Sequence, residues 1–478
     1  MSLAFRLRPA GSPVRRTPSR LVGCLAGLAG LLLTPLAAAQ PTLVVSPGDN
    51  IQAALDNPTT FEVVMQPGLY PGTYTVPLGK HLRGATGDRT DVVIDNTSGL
   101  TLSVLTALPG ARISNLTVRN GRAVGATPND RGGGINAPLG SVFIHNVSVQ
   151  SCIAAFGGGI YMNGTGAITG DTEVADCDAT ASGGGIYLNN FLGPVNVNCH
   201  LNRSSGTGGA IRTNGGEPVI TDSSFRNNIT AVNQPGGAID VRGAIIIDRC
   251  KFESNIGGNG GAIRIDGEAF NREIRNSLFT NNFTDFEGGA IYGGRTVDIH
   301  NCTFYANGSY NDGTSAVSMD PNTGPMTMRS CIVWASPDAA PISPTINCNW
   351  SVVDAGFNAS AIRTGDPMFV NVAARDFRLQ PGSSAIDFGL TALLDFWTVG
   401  GQTPQTEFSD LRGSIRAWNV PEVENLGSSI IGMMIDCGAY EFFPPTDLDG
   451  TCPEDINTDG NVDFVDLLNV LSAFGSCP

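Results

Sequence analysis

Lysine is almost absent from this chain: Lys80 and Lys251 are the two in 478 residues, so nearly all its positive charge is arginine. Histidine is also scarce. His81, His145, His200 and His300 stand singly, a distribution that points to structural roles. Charged residues make up 15% of the chain, and the 28 basic residues are outnumbered by 43 acidic ones, giving a net charge of −15. Such a surface repels nucleic acid and anionic lipid and suits divalent cations. Beyond the N-terminus no apolar run is long enough to span a bilayer. The 61 glycines follow no Gly-X-Y period, which excludes a collagen-like chain and implies frequent turns.

The N-terminus carries Arg6, Arg8, Arg15, Arg16 and Arg20, then an apolar run from Leu21 to Leu36, then Ala37-Ala38-Ala39. This charged, apolar, small-residue order is that of a secretory signal peptide over 1–39, cut near Ala39. Cleavage removes five arginines and no acid, leaving a charge of about −20 on a secreted, extracellular or surface-attached protein. It also removes Cys24, leaving ten of eleven cysteines, several of them at positions that read as core stacks.

What is abundant is a repeat. Gly132-Gly133-Gly134-Ile135 returns at Gly157, Gly183, Gly208, Gly236, Gly260 and Gly288, with alanine for the third glycine from Gly208 onward. The isoleucines are spaced 25, 26, 25, 28, 24 and 28 residues apart. A second block, Ile274-x-x-Ser277-x-Phe279-x-x-Asn282, is shared with Ile247 to Asn255 and Ile299 to Asn307. Between blocks, apolar and polar residues alternate as in Ile263-Arg264-Ile265-Asp266, which is the period of a strand. One such unit cannot bury its apolar face, but stacked coils with parallel strands can. The fold class expected is therefore all-β, a right-handed parallel β-helix. It predicts a phenylalanine column (Phe225, Phe252, Phe279, Phe304) and a small-residue column (Cys177, Cys199, Ser224, Cys250, Ser277, Cys302, Cys331). An asparagine column (Asn228, Asn255, Asn282, Asn307) is expected at a left-handed corner. A leucine-rich repeat lacks its leucine pattern here, and a calcium-binding β-roll lacks its nine-residue period.

The partition that follows has an N-terminal cap and first coils over 40–130, repeat coils over 131–335, a closing segment over 336–443 and a C-terminal module over 444–478. A short helix after Asp49, its expected cap, covers the open end of the first coil. The phrase Pro47-Gly48-Asp49-Asn50-Ile51-Gln52-Ala53-Ala54-Leu55 resembles the opening of the pectate-lyase-like β-helix proteins. The closing phrases Asp366-Pro367-Met368-Phe369, Pro381-Gly382-Ser383-Ser384-Ala385-Ile386-Asp387 and Asp436-Cys437-Gly438-Ala439-Tyr440-Glu441-Phe442 resemble those of bacterial secreted β-helix proteins. The glycine repeats resemble those of polymorphic outer-membrane adhesins. These resemblances cover roughly 41–443 and imply fold more than activity.

In the tail, Asp455, Asn457, Asp459, Asp463 and Asp466 fall at positions 1, 3, 5, 9 and 12 of a calcium loop. Gly460 takes the sharp turn, and Asn461 offers its carbonyl. An apolar helical face follows from Phe464 to Phe474, and Cys452 and Cys477 bracket the whole as a candidate disulfide. The loop and the phrase Asp463-Phe464-Val465-Asp466-Leu467-Leu468 resemble a dockerin, although only one repeat is complete. The single-loop form with flanking cysteines resembles the anchor modules of planctomycete secreted proteins. The resemblance implies calcium as cofactor and a cohesin-like or sorting partner.

The residue after each repeat isoleucine points outward, giving the column Asn136, Tyr161, Tyr187, Arg212, Asp240, Arg264, Tyr292. The next outward column is Asn163, Asn189, Asn214, Arg242, Asp266. Two readings compete. In one, Tyr161, Tyr187 and Tyr292 stack on sugar rings while Arg212, Arg242 or Arg264 engages a carboxylate-bearing polysaccharide. In the other, Arg212-Asp240-Arg264 and Arg242-Asp266 are cross-strand charge ladders. Polygalacturonases carry Asn-x-Asp, Asp-Asp, Gly-His-Gly and Arg-x-Lys, which the repeats lack. The leading expectation is thus a non-catalytic binder of carbohydrate or cell-surface ligands. The alternative is a polysaccharide lyase or glycoside hydrolase using Arg212, Asp240 and Arg264, with calcium held by Asp240 and Asp266.

Overall fold

The structure of the protein, a computed structural model, describes residues 41–443 except 268–271, 294–295, 312–314, 321–324, 338–339, 355–356, 358–360, 391–408, 415 and 417–433. The expected signal peptide and calcium module lie outside the described residues. Within them the chain forms an all-β parallel solenoid of about 10 turns. A large parallel sheet wraps the coils, an eight-stranded parallel strip closes them, and Phe369–Asn371 pairs antiparallel with Asp376–Leu379.

The glycine corners set the winding. Gly157 takes φ +65°, and an added Cβ would lie 2.1 Å from the Ile160 carbonyl oxygen. At the second position the next coil is the obstacle: a Cβ on Gly184 would lie 2.2 Å from the Gly209 oxygen. After each corner the isoleucine enters the core in strict register. Ile135 faces Ile160, Ile186, Ile211, Ile239, Ile263, Ile291 and finally Val317 along successive coils.

Three internal columns follow the spacing of the second block. Phe225, Phe252, Phe279 and Phe304 are fully buried, with ring centroids 4.7–4.8 Å apart and interplanar angles of 3–10°. Each buried phenylalanine contributes roughly 1.5–3 kcal/mol of hydrophobic stabilisation. The asparagine column forms an internal ladder in which each amide bridges two coils. Asn255 Nδ2 donates to Asn282 Oδ1 at 2.9 Å and to Phe225 O at 2.9 Å, while its Oδ1 accepts from the Asn228 backbone N–H at 3.0 Å. Buried amides are costly unless paired in this way. The left-handed residue of that corner is the one before the ladder (Asn227, Ser254, Asn281), not the ladder asparagine itself.

The small-residue column needs correcting. Ser223, Cys250, Ser277, Cys302 and Cys331 align, with Cys250 N–H donating to Ser277 Oγ at 3.1 Å. Cys199 instead faces Phe225 in the aromatic column, Cys177 precedes the asparagine ladder with its backbone N–H donating to Asn202 Oδ1, and Ser224 points outward beside Lys251. The reason is that coil position follows the 0, 2, 5 spacing of the block, and residue identity does not. All eight described cysteines from Cys152 to Cys437 are buried free thiols.

At the first coil the helix Ile51–Asp56 buries Ile51, Ala54 and Leu55. Its cap is Asn50, which accepts from Ala53 N–H at 3.0 Å, because the Asp49 carboxylate turns back to Ser46 N–H at 2.7 Å. At the other end, the closing segment packs Leu379, Ile386, Cys437 and Phe442 onto Ile332 and Val352, and Phe377 and Tyr440 onto Leu278. It encloses charge as well. Asp436 accepts from Asp387 N–H at 2.8 Å, and its own N–H donates to Glu441 Oε2 at 3.1 Å. Asp410, Asp436, Glu441 and Arg416 are all buried there.

Candidate functional site

The outward column after the glycine corners is built as the strand alternation requires. Asn136, Tyr161, Tyr187, Arg212, Asp240, Arg264 and Tyr292 are nearest neighbours in register on successive coils. The second column, Asn163, Asn189, Asn214, Arg242 and Asp266, runs beside it.

Outward does not mean exposed. The first glycine of each corner leans on the strand of this column, so that a Cβ on Gly236 would sit 2.8 Å from the Asp240 Cβ and one on Gly183 3.3 Å from the Arg212 Cβ. Asp240 is 0% exposed, Tyr161 3% and Arg212 7%. Strand periodicity gives the direction of a side chain, and only the folded corner shows what lies over it.

The charges are joined to one another. Arg212 Nη1 donates to Asp240 Oδ2, and Arg264 Nη1 reaches Asp240 Oδ1 at 3.3 Å. Arg264 Nη2 also donates to Asp266 Oδ2 at 2.8 Å, while Asp266 Oδ1 accepts from Gly267 N–H at 2.7 Å. The expected Arg242-Asp266 pair is therefore replaced. Arg264, two residues back on the same strand, takes the carboxylate, and Arg242 acts on it only through its charge. Burial works to raise the Asp266 carboxyl. The Gly267 N–H bond and the charges of Arg264, Arg242 and Arg212 outweigh it and hold the group below its usual value. Asp240 thus presents no oxygen free of a guanidinium, which suits a counter-ion and does not suit a proton acceptor for substrate.

The tyrosines divide into two sets. Tyr161 and Tyr187 stack with centroids 5.6 Å apart at 15°, and Arg131 lies over Tyr161 at 5.0 Å with Nη1 3.3 Å from the hydroxyl. Tyr161 is consequently enclosed, and its hydroxyl is raised by burial. Tyr187 and Tyr292 remain partly open, separated by the three charged coils. Beside them Asn189 donates to Asn163 at 2.9 Å and Asn214 to Asn189 at 2.9 Å, an external amide ladder. Strand alternation puts these asparagines on the face, and only the stacking of neighbouring coils bonds them to each other.

The histidines sit beside strand residues. His200 lies 3.0 Å from Glu173, His300 3.2 Å from Glu273 and His145 3.1 Å from Thr169. His81 lies between Glu62 and Ser114. Among the described residues no group of three or more His, Cys, Asp or Glu side chains is arranged to hold a metal ion, and no helix is long and apolar enough to cross a membrane. The calcium-loop residues Asp455 to Asp466 and the Cys452/Cys477 pair lie outside the described residues.

No family model and no curated protein matches the sequence. Among solved structures, Escherichia coli YbhC is 16% identical with a TM-score of 0.29, over 51% of this chain and 72% of that one. The catalytic domain of a GH87 alpha-1,3-glucanase in complex with tetrasaccharides is 12% identical with a TM-score of 0.36, over 68% of this chain and 66% of its own. The catalytic unit of a thermostable GH87 alpha-1,3-glucanase from Streptomyces thermodiastaticus is 14% identical with a TM-score of 0.37, over 63% of this chain and 64% of its own. At such identities and TM-scores these likenesses assign this chain neither a family nor an activity.

Proposed function

We propose that the protein is a secreted or surface-attached solenoid that binds carbohydrate or cell-surface ligands without cleaving them, tethered through a calcium-dependent C-terminal module. The observation that carries the reading is the mutual neutralisation of Arg212, Asp240 and Arg264. A general base must reach substrate, and Asp240 is fully buried with each oxygen held by a guanidinium. What the face offers instead is a fixed polar surface with Tyr187, Tyr292 and the Asn163-Asn189-Asn214 ladder along it.

The winding in this reading is right-handed, the hand that parallel crossovers take in about 98% of cases. Asp455, Asn457, Asp459, Asp463 and Asp466, with the Asn461 carbonyl, supply the oxygen ligands that calcium prefers, and Cys452 and Cys477 close the module. An anchoring or sorting partner at the cell surface would engage it.

The test is incubation of the mature protein with acidic and neutral polysaccharides, with calcium and with chelator. Reducing ends, unsaturated products and co-sedimentation are followed together. Binding without new ends is the expected result. New ends or unsaturated products, lost in Arg212→Ala or Asp240→Ala, would overturn the proposal in favour of a lyase or hydrolase.

A further inference from the structure

The second outward surface, on the eight-stranded strip, has the opposite character. Ile153, Asp178, Arg203 and Ile229 follow one another in register on four successive coils. Two residues further along each coil the outward side chains are small: Ala155, Thr180, Ser205 and Ala231. Short side chains beside taller ones leave a trough of about 670 Å³ between them. Past Arg203 and Ile229 it adjoins a second hollow of about 160 Å³ reaching Ser254 and Ile256. Four coils at ~4.8 Å spacing give the main trough a length of roughly 14 Å.

Its charges are not consumed by each other. Asp178 and Arg203 are register neighbours and both are exposed, yet among the described residues they form no ion pair or side-chain hydrogen bond. In the Arg212-Asp240 pair the same residue types, also in register, are bonded and enclosed. The trough therefore offers a carboxylate acceptor, a five-donor guanidinium and the Thr180 and Ser205 hydroxyls, with the aliphatic faces of Ile153 and Ile229 at either side.

We infer that this trough is the glycan-binding groove and that it takes an extended, neutral, hydroxyl-rich oligosaccharide. Sugar hydroxyls donate to Asp178 and accept from Arg203, and the C–H faces of the rings lie on Ile153 and Ile229. The net charge of −15 and the Asp178 carboxylate disfavour a polyuronate or a nucleic acid. An added peptide strand is disfavoured too, because strands here already pair with coils on both sides. The inference rests on the carbohydrate reading above and moves its site from the tyrosine face to the strip.

The experiment is calorimetric titration of the mature full-length protein and its variants with neutral and uronate-containing tri- to hexasaccharides. Arg203→Ala and Asp178→Ala each remove one of the charged groups the trough presents, and Ser205→Trp fills the trough from an exposed position without altering a core side chain. Circular dichroism checks that each variant folds. Each of the three is expected to weaken neutral-oligosaccharide binding at least about tenfold, and Leu78→Ala, in an exposed turn away from both faces, to leave it unchanged. Unaltered binding in the three trough variants with loss in Tyr187→Ala would overturn the inference while leaving the carbohydrate reading intact. Binding of uronates alone would overturn the choice of a neutral ligand. If the parent binds no glycan, both the groove and the reading it rests on fail.

Discussion

Arg212 and Asp240 face each other in register on adjacent coils, and the carboxylate so held is fully enclosed and shared with Arg264. A buried ion pair is weak evidence of net stabilisation, but breaking one from a single side is costly because the remaining charge is stranded. Asp240→Ala leaves Arg212 buried without its acceptor. It is expected to lower stability by about 3–5 kcal/mol in denaturant unfolding. A loss below about 1 kcal/mol would mean that water reaches the ladder and that Asp240 is available to chemistry after all.

The internal asparagine ladder is the second place where one substitution should be felt at a distance. Asn255→Ala removes the acceptor for the Asn228 backbone and side-chain amides and the donor to Phe225 O and Asn282. At about 1–3 kcal/mol for each buried group left unpaired, a loss of several kcal/mol is expected. The exposed Val232→Ala should change stability by less than about 0.5 kcal/mol. Equal effects in the two would show that the ladder does not couple the coils.

Two carboxyls give stability a maximum in mildly acidic solution. Glu173 is held down to about 2, first by the His200 hydrogen bond and then, against burial, by Ser148 and Arg89. Its contribution is present above its usual 4.5 and is lost as pH falls through about 2. Asp436 is pushed up to about 7, chiefly by burial, with Asp387 adding to it and the N–H groups of Asp387 and Phe442 and the charge of Arg416 opposing. The sign is reversed: its contribution is full below 3.8 and is lost as pH rises through about 7. Denaturation midpoints across this range should rise and then decline. Hydrogen exchange should locate the decline in the closing segment around Asp387 and Asp436. Midpoints still climbing between about 5 and 7 would contradict the Asp436 assignment.

Calcium should bind once per chain. Titration of the mature protein is expected to give one calcium-dependent heat, abolished by Asp455→Ala and by Asp459→Ala. A heat that survives both substitutions would place the cation elsewhere.

The winding was legible because it is periodic. A glycine corner every 24 to 28 residues, an isoleucine after it and a 0, 2, 5 block are one-dimensional signals of a structure in which each coil repeats its neighbour. The phenylalanine stack and both outward columns follow from that alone. Cysteine identity does not mark a column, since Cys177, Cys199 and Cys250 occupy three different ones.

Sequence by itself determined which residues share a column and which way each column points, because alternation along a strand and register between coils are both local rules. Tertiary structure alone decided what each column meets there. The glycine corner closes over Asp240 and Arg212, while short side chains leave Asp178 and Arg203 open to water. Enclosure depends on how far neighbouring coils stand from one another in space, and no pattern along the chain encodes that distance.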